Sequence, residues 1–258
     1  TGNDITLNNA NDFSAVVITS GKDVTLTDSN ALTVSGTVTG ALTTNAAATT
    51  LGTLSVGSAN LTATGALTQS GVLTDAGALT VSAAGQAITL TQNNAVTGTA
   101  TLTGAATQFT NTLGTTAVLN TTGATTLTAT GQTLNVSGSV TGALLTTSAA
   151  ATNLGTLSVG SANLTATGTV TQSGVLTDAG ALTVSAAGQA ITLTQNNAVT
   201  GTATLTGAAT QFTNTLGTTA VLNTTGATTL TATGQTLDVS GSVTGAALTT
   251  SAAATNLG

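Results

Sequence analysis

Short alternations of apolar and polar residues recur along the whole chain. Examples are AITLT at 87–91, ATLTG at 100–104 and ALTVS at 78–82. An apolar residue at every second position indicates a strand with one buried face. Each alternation is only three to five residues long, and the Gly, Asn, Ser and Asp residues between them favour turns. The pattern predicts many short strands and leaves no room for helices.

The chain also repeats itself with a period of 103 residues. The segment GQAITLTQNNAVTGTATLTG at 85–104 returns unchanged at 188–207. Residues 53–155 and 156–258 are two full copies, and a shorter partial copy lies within residues 1–52. The two full copies differ at four positions, namely Ala66/Thr169, Leu67/Val170, Asn135/Asp238 and Leu144/Ala247. A looser internal period of about 20 residues predicts five coils in each repeat.

These periods together predict an all-β parallel β-helix, or β-solenoid. We expect each coil to contribute about three strands, which pair with the strands of the next coil, with Ile, Leu and Val inside and Thr and Ser outside. A β-sandwich is the alternative, but it gives no reason for the sequence to repeat. The predicted organisation is one continuous solenoid, with leading coils at 1–52 and repeat units at 53–155 and 156–258.

The composition limits the possible partners. About a quarter of the residues are Thr, 3% are charged and the formal net charge is −6. With Lys22 as the single basic residue, the chain offers no electrostatic footprint for nucleic acid or anionic membranes. It has no Cys for disulfides and no apolar run long enough to span a bilayer as a helix, so we expect no membrane insertion.

The same composition argues against an enzyme. His, Cys, Glu and Tyr are all absent, so a nucleophilic Ser or Thr would have only Asp or Lys22 as its base. Asp75 and Asp178 are equivalent, one per repeat, and are expected to be solvated turn residues. The second full copy has Asp238 where the first full copy has Asn135, so the fold does not need that carboxylate. We therefore predict no catalytic, cofactor-binding or metal-binding residue and no cofactor.

Four acidic residues cluster near the start of the chain: Asp4, Asp12, Asp23 and Asp28. Asp12 and Asp28 would offer oxygens to a calcium ion if they stacked, because hard cations bind several oxygens. The Gly- and Asp-rich nonapeptide of calcium-binding β-rolls is absent, however, and turn residues are the favoured interpretation. Lys22 and Asp23 are expected to form a local surface pair.

Two further patterns have a structural and a functional interpretation. Thr-x-Thr triplets at 25–27, 37–39, 62–64, 101–103 and 128–130 resemble ice-binding lattices, but their irregular gaps argue against a common register. Asn60, Asn120 and Asn135 begin glycosylation sequons, which arise easily in a chain rich in Thr.

Aromatic and amide residues are expected to be structural. Phe13, Phe109 and Phe212 are predicted to fill the core or plug turns. The pairs Asn93-Asn94 and Asn196-Asn197 are predicted to close turns, or alternatively to form Asn ladders along the axis.

The N-terminal segment resembles a known family. Asn11-Asp12-Phe13 and the passage VTLTDSNAL at 24–32 are similar to repeats of filamentous haemagglutinin-like proteins, which bacteria export by two-partner secretion. The similarity covers about 30 residues, and the rest of the chain resembles these repeats only in its general pattern. It implies a right-handed parallel β-helix that serves as the shaft of an exported adhesin or fibre.

Residue chemistry and resemblance together predict a mechanical function. Stacked coils add length without limit, and an exterior almost free of charge offers little repulsion between neighbouring rods. We expect an extracellular structural fibre at a bacterial cell surface, associating with copies of itself and with host or cell surfaces. The alternative is an adhesive module that binds glycans or surfaces through its Thr/Asn-rich face.

Overall fold

The computed structural model describes residues 2–258, in which all regular structure is strand. The strands are β1 (Ile5–Asn11), β2 (Ala15–Gly21), β3 (Val24–Asp28), β4 (Ala31–Ala46), β5 (Ala48–Ala63), β6 (Leu67–Gln69), β7 (Leu73–Asp75), β8 (Leu79–Ser82), β9 (Ile88–Val96), β10 (Thr99–Gly104), β11 (Thr107–Asn111), β12 (Thr115–Thr121), β13 (Thr125–Ala166), β14 (Val170–Gln172), β15 (Leu176–Asp178), β16 (Leu182–Ser185), β17 (Ile191–Val199), β18 (Thr202–Gly207), β19 (Thr210–Asn214), β20 (Thr218–Thr224), β21 (Thr228–Val243) and β22 (Leu248–Leu257). No helix that could cross a membrane occurs among these described residues.

The strands pair in parallel from turn to turn, which confirms the predicted parallel β-solenoid. The described residues make about 14 turns of about 18 residues each. They fall into two compact units, one ending at Gln132 and one spanning Thr133–Gly258. Each unit stacks its own strands in the same way, so each can be described by its ladders of register partners.

Two ladders run through the second unit. The first ladder is Thr152, Val170, Ile191, Thr210, Thr228 and Leu248. The second ladder is Ala162, Leu182, Ala203, Ala220, Val239 and Leu257. The first unit has corresponding ladders, through Thr49, Leu67, Ile88, Thr107 and Thr125 and through Leu42, Ala59, Leu79, Ala100 and Ala117. Inward residues of successive turns therefore stack directly on one another.

The turns are shorter and less uniform than the internal period of the sequence predicted. The number of residues along the chain from one register partner to the next is smaller between Asn94 and Asn111 than between Leu67 and Ile88. Along the second unit, five steps of the first ladder lead from Thr152 to Leu248. A 103-residue repeat consequently spans about five and a half turns, and not the five turns that the internal period predicted.

The number of strands in a turn varies as well. One turn contains three short strands, β6, β7 and β8, as predicted, whereas the next contains only β9 and β10. Loops of different length between them absorb the changes in turn length. The sheets keep their register because the inward apolar residues must stay on the buried face.

The interior is a narrow apolar column. Leu, Val, Ile and Ala fill it, and most of their side chains are completely buried. Phe109 and Phe212 are the largest buried side chains, at 1% and 2% exposure, which confirms their prediction as core residues. Phe13 is only half-buried and does not belong to this column.

Candidate functional site

The carboxylates of Asp75 and Asp178 lie inside the solenoid, which corrects the expectation that they are solvated. Both residues have 0% exposure. Asp75 ends the short strand β7, and its Oδ1 accepts a hydrogen bond of 2.9 Å from the backbone N–H of Gly77. Asp178 makes the same contact with Gly180. The side chain closes the turn from within, because the N–H group two residues ahead folds back onto it.

Burial raises the pKa of both carboxyl groups above its ordinary value, and hydrogen bonds from backbone N–H groups only partly oppose this effect. The hydrogen bonds come from Gly77 to Asp75 and from Gly180 to Asp178. The N–H groups of Ala59 and Ala162, which donate to the carbonyls of Ala78 and Ala181 at 3.1 Å, also lower the pKa of the two carboxyl groups. The second oxygen, Oδ2, of each carboxylate is buried without a hydrogen-bond partner. Each of the two carboxyl groups therefore combines a raised pKa with an unpartnered buried oxygen.

Asn94 is a second buried polar residue, and it bridges three successive turns. Its Oδ1 accepts hydrogen bonds from Leu73 N–H at 3.0 Å and from the amide of Gln69 at 2.8 Å. Its Nδ2 donates to the carbonyl of Leu90, to Gln69 Oε1 and to the carbonyl of Thr110. Asn197 repeats this network. Asn94 therefore cross-links backbone groups of the turns below and above it.

The adjacent Asn93 is exposed, so the predicted pair of turn residues divides into one outward and one inward residue. Asn94 and Asn111 are register partners, which is the arrangement an Asn ladder requires. The amide of Asn111 bonds to the backbone carbonyl of Val96 at 2.8 Å and to Thr115 Oγ1 at 3.1 Å. These buried amides act as individual cross-links to backbone and side-chain oxygens.

The N-terminal acidic residues spread over separate contacts. Asp28 is buried and accepts hydrogen bonds from the N–H groups of Phe13 at 2.7 Å and Asn30 at 3.2 Å. Asp12 accepts one from the side chain of Asn30. Within residues 2–258 no group of three or more acidic, His or Cys side chains is arranged to hold a metal ion.

Lys22 forms the predicted surface pair with Asp23, at 3.4 Å, and also contacts Asp4 at 3.5 Å. Asp4 and Asp23 together raise the pKa of the Lys22 ammonium group. The N–H of Ala41 and the Lys22 charge lower the pKa of Asp23. All three side chains are more than half exposed, so these ion pairs contribute little to stability.

Outward side chains, most of which carry a hydroxyl or amide group, form a registered array, which we call the outer ladder. In the first unit its successive pairs are Thr25/Thr27, Thr43/Asn45, Asn60/Thr62, Thr80/Ser82, Thr101/Thr103 and Val118/Asn120. The second unit has the pairs Asn163/Thr165, Thr183/Ser185, Thr204/Thr206, Val221/Asn223 and Ser240/Ser242. These side chains are half-buried or exposed.

The outer ladder corrects one expectation from the sequence in part. The irregular gaps between the five Thr-x-Thr triplets argued against a common register, and two of the five, at 25–27 and 101–103, nevertheless lie on the same ladder. Loops of unequal length separate the triplets along the chain and bring them into line in space. Along the axis the rungs are about 4.8 Å apart, and within a rung the two side chains are about 6.6 Å apart.

Two of the three sequon residues named from the sequence, Asn60 and Asn120, are exposed on this outer ladder. Asn135 is half-buried and accepts a hydrogen bond of 3.3 Å from the amide of Asn153. In the second copy Asp238 accepts the equivalent bond from Asn256 at 2.6 Å. Either side chain supplies the acceptor, which explains why the repeat tolerates the substitution.

A surface cavity of about 250 Å³ lies against β22 and is lined in part by Leu222, Val239, Leu248 and Leu257. At the equivalent place one repeat earlier, Leu154 is fully buried beneath the strand Val170–Gln172. Leu257 is 71% exposed. The lining residues of this cavity include no charged group.

Comparison with known proteins identifies a repeat family. A family described as repeats of unknown function (DUF5649) matches residues 40–103 and 141–206, which together make up half of the chain. Searches of curated proteins and of solved structures found no match. The chain belongs to the DUF5649 repeat family, and the two matched segments correspond to the repetition seen in the sequence.

Proposed function

We propose that this chain, as a member of the DUF5649 repeats, forms the shaft of an extracellular fibre or adhesin on a bacterial surface. The observation that carries the proposal is the ladder itself. Inward residues stack from turn to turn through each unit, as from Thr152 to Leu248, and every turn packs on its neighbours alone. Such an architecture gains length by adding repeats without redesign of the core.

The side-chain chemistry supports a mechanical role. Between Asp28 and Asp238 the sequence holds two charged residues, Asp75 and Asp178, and both are buried. The exterior between them presents hydroxyl, amide and methyl groups. An enzyme would need titratable groups grouped at an accessible place, and we place this chain outside the enzymes for that reason.

The finer assignment rests on the similarity of residues 11–32 to filamentous haemagglutinin-like repeats. A repeat solenoid of this family agrees with that similarity in architecture. We accordingly propose export by two-partner secretion and a location outside the cell. A right-handed coil is part of the same proposal.

Immunoelectron microscopy of the source cells tests the proposal. Antibodies raised against the folded chain are applied to intact and to permeabilised cells. We expect label on intact cells, distributed along thin filaments. Label that appears only after permeabilisation would overturn the extracellular assignment. Label scattered over the cell surface without filaments would overturn the assignment as a fibre.

A second function, adhesion through the outer ladder, is favoured by one observation. The outward Thr, Asn and Ser side chains stand in register over six turns of the first unit, which gives repeated donors and acceptors at regular spacing. Adsorption of the chain to polysaccharides tests this alternative. Thr101→Lys on the outer ladder should reduce adsorption, whereas Thr126→Lys, at an exposed position of a different strand, should not.

A further inference from the structure

Asp75 and Asp178 are enclosed by apolar neighbours above and below. The register partners of Asp75 are Val56 on the preceding turn and Val96 on the following turn, which are 4% and 1% exposed. Asp178 lies between Val159 and Val199, which are 4% and 0% exposed. Each carboxylate thus occupies a place in the ladder where its neighbours are apolar.

No opposite charge compensates either carboxylate. Asp75 packs against β5 and β9, and Asp178 packs against β13 and β17; none of these four strands contains a titratable or charged side chain. Asp75 is the single titratable residue between Asp28 and Asp178 in the sequence. An ionised carboxylate that is buried without a cation is unfavourable, since the interior cannot replace its hydration.

The hydrogen bonds satisfy only part of each group. Oδ1 of Asp75 accepts from Gly77, while Oδ2 has no partner. The same division holds for Asp178 and Gly180. A proton on the carboxyl group would remove the charge and leave the Oδ1 bond to the turn intact.

We propose that Asp75 and Asp178 are proton-binding sites, one in each 103-residue repeat, and that occupation of these sites by a proton stabilises the solenoid. The shaft is then more resistant to unfolding in mildly acidic surroundings than at neutral pH. The ligand is the proton alone, and the site is the buried carboxyl group with its turn-closing bond.

The direction of the pH dependence follows from burial. Burial raises the pKa of both groups above the ordinary value of 3.8. The folded chain therefore binds protons more tightly than the unfolded chain between pH 3.8 and the raised pKa. The added stability is fully present below that window and is lost as the pH rises through the folded pKa. Asp23 contributes a pH dependence of stability with the opposite sign, because its pKa is lowered. It is exposed, and it is unchanged in every variant of this test.

Guanidinium unfolding of the 258-residue chain at about pH 4, 5.5 and 7 tests the proposal. For the wild-type chain we expect the midpoint to rise as the pH falls. In the double variant Asp75→Asn/Asp178→Asn the neutral amide keeps the Oδ1 acceptor, so its midpoint at pH 7 should exceed that of the wild type. The added dependence on pH should also disappear.

Asp238→Asn is the matched control. Asp238 is exposed, and the sister copy already carries Asn135, so this variant should follow the wild type at each pH. A double variant that is less stable than the wild type at pH 7 would overturn the proposal, because the charged form would then be the favoured one.

A measurement on the wild-type chain keeps the proposal testable if the double variant does not fold. Carbon-13 NMR of the Asp carboxyl groups follows all seven residues through a pH titration. We expect Asp75 and Asp178 to titrate above the ordinary carboxyl pKa of 3.8. Titration of both at or below 3.8 would overturn the proposal.

Discussion

Leu154 and Leu257 occupy the same position of the 103-residue repeat, yet they lie on different ladders of the second unit. Leu154 belongs to the strand segment that pairs with Val170–Gln172, at the start of the first ladder. Leu257 pairs with Val239, at the end of the second ladder. The repeat therefore advances by about five and a half turns, and not by a whole number of turns.

The inward residues are mainly Leu, Val, Ile and Ala. Equivalent residues of the copies meet equivalent partners, since Leu51 pairs with Gln69 and Leu154 pairs with Gln172. Two polar exceptions are Asp178 at the end of β15 and Asn197 at the register shift within β17, and each accepts a hydrogen bond from a backbone N–H group.

Removing the ring of Phe109 should leave a cavity that the stacked turns cannot close. Phe109 is 1% exposed and lies between Leu90 and Leu127 in register. We expect Phe109→Ala to lower the free energy of unfolding by about 3–5 kcal/mol. Guanidinium unfolding measures the loss, and Gln108→Ala at the exposed neighbouring position should change it by less than about 0.5 kcal/mol. Equal effects of the two variants would contradict the assignment of Phe109 to the core.

Asn94 should be far more sensitive to substitution than Asn93. Asn94→Ala leaves Leu73 N–H and the carbonyls of Leu90 and Thr110 without their partner. We expect a loss of about 3 kcal/mol or more, since each orphaned buried group costs about 1–3 kcal/mol. Asn93→Ala is the control at the exposed neighbour and should be nearly neutral. Similar losses from both would argue against the buried cross-link.

Two buried threonines should respond in opposite directions when their hydroxyl is replaced. Thr49 Oγ1 is buried without a hydrogen-bond partner, whereas Thr125 Oγ1 bonds to Thr121 at 2.7 Å. We expect Thr49→Val to raise the free energy of unfolding by about 1 kcal/mol and Thr125→Val to lower it by about 1 kcal/mol or more. Thermal and guanidinium unfolding measure both; a loss from Thr49→Val would show that its hydroxyl has a partner.

Gly36 should be irreplaceable by Ala. Its φ of +114° lies in the region that favours glycine, and an added Cβ would collide with the carbonyl oxygen of Ile18. We expect Gly36→Ala to cost about 3 kcal/mol or more.

Gly85 is the comparison for that prediction. It also has a positive φ, of +74°, but a Cβ there meets nothing within 4 Å. Gly85→Asn should cost about 1 kcal/mol at most, since Asn enters this region readily. Equal losses at the two glycines would mean that φ alone, and not the collision with Ile18, sets the cost.

The fold class was predictable because the alternation of apolar and polar residues fixes which side of each strand is buried. The same reasoning placed Phe109 and Phe212 in the core and paired Lys22 with Asp23. Turn length was less predictable, because loops between strands vary and their sequences do not state how many residues they add. This variation also concealed the common register of the triplets at 25–27 and 101–103.

The burial of Asp75 was missed for a local reason. A turn that exposes its Asp and a turn that encloses it both favour the sequence Leu-Thr-Asp-Ala-Gly, because in either case the carboxylate accepts from an N–H two residues ahead. The place of Asp75 in the alternation of apolar and polar residues was the sequence feature that indicated its burial. Leu73 and Asp75 are two residues apart on one strand and so share its inward face.

Disulfide trapping tests the strand register from which the advance of about five and a half turns follows, since the chain has no cysteine of its own. Asp238 and Asn256 are register partners, whereas the longer coils that the internal period of the sequence predicted would place Asn256 beside Thr236. We expect Asp238→Cys/Asn256→Cys to oxidise readily to an intramolecular disulfide. Thr236→Cys/Asn256→Cys should not, because the Cα atoms of strands two residues out of register are farther apart than a disulfide spans. Rapid crosslinking of the Thr236 pair and not of the Asp238 pair would contradict this register.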